Sequence, residues 1–320
     1  MTFGAHIIMM FSDCGFSQVR QYTLNEMEKK VSKIAVITDS NAHFTPQEEK
    51  ELGISVVPMP FTIGDKTYYE GVTLSREEFY EKMASGAPIA TSQPSPSDVM
   101  EIWDKALETH DEVVYIPMSS GLSGSCQSAR MLADDYDGKV QVVNNQRISV
   151  TQKRSVQDAL EMAKRGMSAA QIRQKLEEVK YESSIYIMLD TLHYLKKGGR
   201  ITPAAAAVGT LLRIKPVLQI KGERLDAFSK ARTINQGKNI MINAMKHDIE
   251  MMYGGLDKGD VWLYAVHGNV PEQFAEYSEE VRAAFPGIEV YDDVLSLSVS
   301  CHIGPGALAI ACSRKIPFDN

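Results

Sequence analysis

Cysteine is scarce in this 320-residue sequence: Cys14, Cys126, Cys301 and Cys312, with no C-x-x-C pair among them. That excludes a disulfide scaffold or a zinc ribbon and predicts reduced thiols in a cytoplasmic protein. No apolar run approaches the ~18 residues that span a bilayer. The short run at 6–11 precedes the first basic residue, Arg20, the wrong order for a secretory signal. No stable membrane insertion is expected. Positive charge is also short: 34 Lys and Arg against 41 Asp and Glu leave a net −7 and a pI near 5.6. Nucleic acid, which wants a basic face, is not an expected partner. There is no G-x-x-x-x-G-K-[ST] loop, and Gly198-Gly199-Arg200 is not a dinucleotide fingerprint. His43, His110, His193, His247, His267 and His302 never fall at H-x-x-x-H spacing. Neither a cofactor nor a metal is called for.

What is present is a globular composition, 44% hydrophobic and 23% charged, with length for two domains. Residues 1–32 read as an N-terminal extension, since a polar start at Met27 leads into a first strand at 34–38. Further strands are predicted at 54–59, 113–116 and 140–143, with helices opened by Thr45-Pro46, by the capping box from Ser75, and by Ser97. Strand–helix alternation of this kind predicts a parallel α/β sheet. Two helices, 151–165 and 169–180, follow. After about 183 the pattern changes: a strand at 185–189, a short helix at 191–200, an apolar stretch at 204–212 and a hairpin at 216–228. A long helix (233–253), strands at 261–267 and 288–294, and a last strand at 307–312 behind a turn at 302–306 complete it. The fold class is α/β, in two parts: 33–182 with a parallel sheet and 183–320 with a mixed one.

Three segments carry hydroxyls and glycine in loops: 91–95 (TSQPS), 119–125 (SSGLSGS) and 302–306 (HIGPG). The middle one runs from an apolar strand into a helix start, where N–H groups and hydroxyls face an anion and Gly121 and Gly124 permit φ > 0. Converging, the three loops make a site for one small carboxylate or phosphate; apart, they are three ordinary turns. Residues 121–125 also fall one residue short of the G-x-S-x-G nucleophile elbow, with Ser123 as nucleophile and His302 as a distant base. An enzyme acting on an acyl or phosphorylated small molecule is therefore the alternative to a binding protein.

The motifs together resemble the DegV family, the fatty-acid-binding subunits of bacterial fatty acid kinase. The resemblance runs from about Lys33 to Ile316. It rests on Thr38-Asp39-Ser40, TSQPS, SSGLSGS, LKKGGRIT at 195–202, VGTLLRIKPVL at 208–218, Lys230-Ala231-Arg232-Thr233 and HIGPG, in that order. It implies a two-domain α/β protein with no catalytic residues of its own, which encloses a long-chain fatty acid and serves phospholipid metabolism. Thr91 and Ser120 would hydrogen-bond the carboxylate, with Ser92 and Ser119 close by and His302 completing the site. Arg200 would face the fatty acid kinase catalytic subunit, which phosphorylates the acid to an acyl phosphate. The head-group loops would sit in 33–182, and 183–320 would contribute to the acyl pocket. Residues 144–151 (NNQRISVT), Thr202-Pro203 and Ile303 depart from the family's usual pattern, which bears on the tunnel's shape.

Overall fold

The computed structural model describes residues 32–200, 202, 214–255 and 259–318. A four-stranded parallel sheet runs in the order β2 (Ser55–Val57), β1 (Ile34–Asp39), β6 (Glu112–Ile116), β7 (Val140–Val142). Its central strands are buried on both faces, as apolar runs in a parallel sheet require. Alternate residues serve different helices. Val36, Val114 and Ile116 pack on α5 (Val150–Lys164) and α6 (Ala169–Glu178). Ala35, Ile37, Val113 and Tyr115 pack on α3 (Pro96–Leu107) and α4 (Ser125–Ala133). The strand ends that point toward the site therefore rest on a three-layer support.

A second sheet of six strands has the order β10 (Leu225–Ala231), β9 (Lys215–Ile220), β8 (Ser183–Met188), β13 (Ala307–Arg314), β11 (Val261–Gly268), β12 (Val290–Val294). It is antiparallel except for the β11–β12 pair. One face carries Tyr186, Met188, Leu263 and Ile310 against α8 (Ile234–Met252) and α9 (Pro271–Ala284). The other carries Ile185, Ile187, Val266 and, along the inner strand β13, Ala307, Ala309 and Ala311. A row of alanines on an inner strand leaves a trough between the larger side chains of its neighbours.

A third, three-stranded sheet was not foreseen: β4 (Lys66–Tyr69), β3 (Pro60–Ile63), β5 (Ile89–Thr91). With α2 (Arg76–Ala84) it builds an aromatic cluster in which Phe61 meets Phe79 edge-on at 5.5 Å. Leu297 and Cys301 of α10 (Leu297–Ile303) enter the same cluster, and the Tyr80 hydroxyl donates to Ser300 Oγ at 2.9 Å. The cluster thus fixes α10 beside the end of β5. Most expected elements form, including the capping boxes at Thr45 and Ser75. Two local expectations are corrected. Helix α3 is capped by Ser95, whose Oγ accepts from the Asp98 N–H at 3.1 Å, because Pro96 can occupy the first helical position. His302 lies in the last turn of a helix capped by Ser296 and not in a turn. The apolar stretch 204–212 and the N-terminal extension lie outside the described residues, apart from Ser32. No described helix is long and apolar enough to cross a membrane.

Candidate functional site

The alanine row of β13 opens into a cavity of about 930 Å³, counting its mouth. Ala309 and Ala311 form its floor, flanked in register by Ile187 and Val266 beside Ala309 and by Ile185 beside Ala311. Met59, Met118, Ile148 and Val150 line it from the elements of the parallel sheet, and Leu295, Val299 and Ile303 from the approach to α10 and its turns. Ile148, Ser149 and Val150 belong to the segment that departs from the family pattern, so that departure does shape the wall.

Part of the wall is polar. Thr91, the last residue of β5, places Oγ1 2.9 Å from Nε2 of His302, 211 residues away. Ser92, Gln93, Ser123 and Arg200 line the same cavity. Burial, and then the Arg200 charge, push the His302 pKa down to about 4, so its imidazole is neutral at pH 7. Its other nitrogen, Nδ1, is buried with no hydrogen bond among the described residues. That edge of the ring faces Gly198, where any side chain would collide with it. Arg200 is exposed, its Nη1 donating to Gly198 O at 2.6 Å. It also lines two further concavities, one with His193 and Lys197, the other with Ser120 and Arg224.

The predicted residues therefore divide. Thr91, Ser92, His302 and Arg200 meet at the cavity; Ser119 and Ser120 are not among its lining residues. The Ser119 hydroxyl donates to Glu223 O at 2.8 Å, and Ser120 Oγ accepts from Asn144 Nδ2 at 2.9 Å. From that loop it is Leu122 and Ser123 that line the wall. The loop is held by Asp39, whose buried carboxylate accepts from the N–H groups of Met118 (2.8 Å) and Asn41 (3.0 Å) and from Gln152 Nε2 (3.0 Å). Burial raises its pKa while these bonds pull it down. Gly121 and Gly124 do not use positive φ: Gly124 has φ −70°, and Gly121 is needed because a Cβ would lie 2.5 Å from Glu223.

The nucleophile pairing does not assemble. His302 turns Nε2 to Thr91, while Ser123 Oγ accepts from the Ser125 N–H at 3.2 Å. Cys126 is buried and its thiol is pushed up to about 11 by burial, a packing residue and not a reactive one. Among the described residues no group of three or more His, Cys, Asp or Glu could hold a metal ion. Asn41 and Ser298 are cavity residues that sequence reasoning missed; they bond to each other (2.5 Å) from segments 257 residues apart.

Comparison with known proteins agrees with this architecture. The family model described as "Uncharacterised protein, DegV family" matches residues 33–315. A DegV domain-containing protein of Listeria innocua is 32% identical over 286 residues, 88% of this chain and 99% of its own. A solved structure described as showing fatty acid binding by a DegV family protein from Thermus thermophilus superposes with a TM-score of 0.80 at 30% identity, covering 88% of this chain and 99% of that one. The structure of DegV from Bacillus subtilis, described as a fatty acid binding protein, gives 0.79 at 29% identity, covering 89% and 100%.

Proposed function

The chain belongs to the DegV family, and we propose that it binds a long-chain fatty acid and presents the carboxylate to a partner kinase for conversion to an acyl phosphate. The observation that carries the binding half is the trough over Ala309 and Ala311, a mainly apolar cavity whose wall also includes the Thr91–His302 pair. Each methylene taken from water contributes about 0.8 kcal/mol, so a chain of some fifteen supplies a gross ~12 kcal/mol, partly offset by lost ligand freedom. A desolvated carboxylate costs several kcal/mol unless it is hydrogen-bonded. Hydroxyls from Thr91 and Ser123 and the neutral His302 can meet that need without a buried cation, and Arg200 adds a positive charge at the mouth. The solved relatives from Thermus thermophilus and Bacillus subtilis are both described as binding fatty acids, which supports the same reading here.

Presentation to a kinase rests on the family resemblance and on the exposure of Arg200, whose planar fork suits a partner carboxylate or a transferring phosphoryl group. Native mass spectrometry of the purified chain, followed by denaturation and lipid analysis, tests the first half. A co-purified C16–C18 acid, recovered intact, is expected; a chain with no retained lipid that also fails to bind added palmitate defeats the proposal. Adding ATP and a cognate kinase to the loaded protein tests the second half, with acyl phosphate as the expected product.

A further inference from the structure

Behind the Thr91–His302 pair lies a second concavity of about 710 Å³, counting its mouth, which shares Thr91, Arg200 and His302 with the acyl cavity. Its character differs. Lys197 and Arg200 line it together with His193, and among its described lining residues there is no carboxylate. Lys197 is exposed, at the C-terminal end of α7 (His193–Gly198), with no ion pair to neutralise it among the described residues. Gly198, toward which the unbonded His302 Nδ1 is directed, is part of this wall and not of the first. Two cations and no opposing acid among the described lining residues describe a place for a compact, multiply charged anion.

The geometry points to this second concavity as the subsite for the phosphoryl group of a bound acyl phosphate, with Lys197 as its specific cation and the acyl chain remaining in the first cavity. The assignment rests on the function proposed above and deepens it. A carboxylate held at Thr91 and His302 already lies on the wall common to both spaces. A phosphoryl group added to one of its oxygens has an electropositive room to enter, and the acyl chain need not slide to make space. Lysine meets such a group as a mobile point charge, and Arg200 meets it as a fork.

The test uses the full-length, delipidated chain and a stable isostere of palmitoyl phosphate, 2-oxoheptadecylphosphonate, alongside palmitate. Displacement of a fluorescent fatty acid gives both affinities. Lys197→Met should weaken phosphonate binding about tenfold, the loss expected for one charge-assisted contact, while palmitate stays within about twofold. The wild-type preference for the phosphonate should fall as salt is raised. Inorganic phosphate, up to millimolar levels, should compete with the phosphonate and leave palmitate bound; phosphate that displaces neither ligand overturns the subsite. Equal losses for the two ligands, no loss for either, or a loss that follows Arg224→Met instead of Lys197→Met would also overturn it. If wild-type protein binds palmitate but shows no effect of Lys197, only the subsite fails. If it binds neither ligand, the fatty-acid reading itself has failed.

Discussion

Ala309→Leu examines the trough directly. Ala309 is buried on the inner strand β13, level with Ile187 and Val266, and its methyl is part of the cavity floor. Leucine adds three carbons there. The added carbons extend from a residue that lines the cavity, so they fill ligand space before they crowd the packed core. The acyl chain, however, loses roughly the room of three methylenes. At about 0.8 kcal/mol each this is about 2.4 kcal/mol, or roughly fifty-fold in affinity, for acids long enough to need the blocked stretch. Shorter acids that stop before Ala309 should bind as before. Dissociation constants for saturated acids from C10 to C18, measured on wild type and variant with matched thermal melts, would show the preferred length falling by about three carbons. A folded variant whose length profile superimposes on wild type would mean that the acyl chain does not lie over β13.

Four further outcomes follow from the polar part of the wall. Thr91→Val removes the hydroxyl beside His302 Nε2 and should weaken palmitate binding by about 1.5–3 kcal/mol by calorimetry, with Ser123→Ala similar and Ser120→Ala smaller. Gly198→Ala should drive a methyl into the His302 ring and lower palmitate affinity about tenfold with little change in melting temperature; unaltered binding would mean the ring plays no part. The third outcome concerns pH. The folded-state pKa of His302 is depressed to about 4 from an ordinary 6.5, so between those values the unfolded chain binds the extra proton and stability is lost as pH falls. His302→Gln should flatten the melting-temperature profile between pH 6.5 and 4, removing a slope worth at most about 3 kcal/mol; parallel profiles would contradict the assignment. Finally, Arg200→Ala should leave lipid occupancy nearly unchanged and sharply lower acyl-phosphate formation with a cognate kinase, and lipid loss would instead move Arg200 into the head-group contacts.

Patterns confined to one segment were legible in the sequence; those that depend on distant partners were not. The strands at Ile34 and Val113, the capping boxes at Thr45 and Ser75 and the long helix from Ile234 follow from local apolar spacing and caps. Helix α10 was hidden because its seven residues, LSVSCHI, are buried almost throughout and show no polar face. The third sheet was hidden because its strands are three or four residues long and are stabilised by Phe79 and Leu297 from elsewhere. Thr91 and His302 were found through their motifs. Which serine of 119–125 faces the cavity was not readable, since Ser119 is turned away by Glu223, 104 residues downstream.

The alanine row of β13 faces residues contributed by β5, the loop after β6, the start of α5 and α10, and the Thr91–His302 bond alone spans 211 residues. Such a site is built from contacts that are distant in sequence, and it is complete only when the strand pairings on both sides of it exist. A fragment ending before β13 lacks the cavity's floor, so on the proposed function the ligand's binding energy stabilises the finished chain. Lipid at a hundred times its dissociation constant adds about 2.7 kcal/mol to global stability. On the proposed function, proteolysis of the lipid-loaded chain should be slower than that of the delipidated chain.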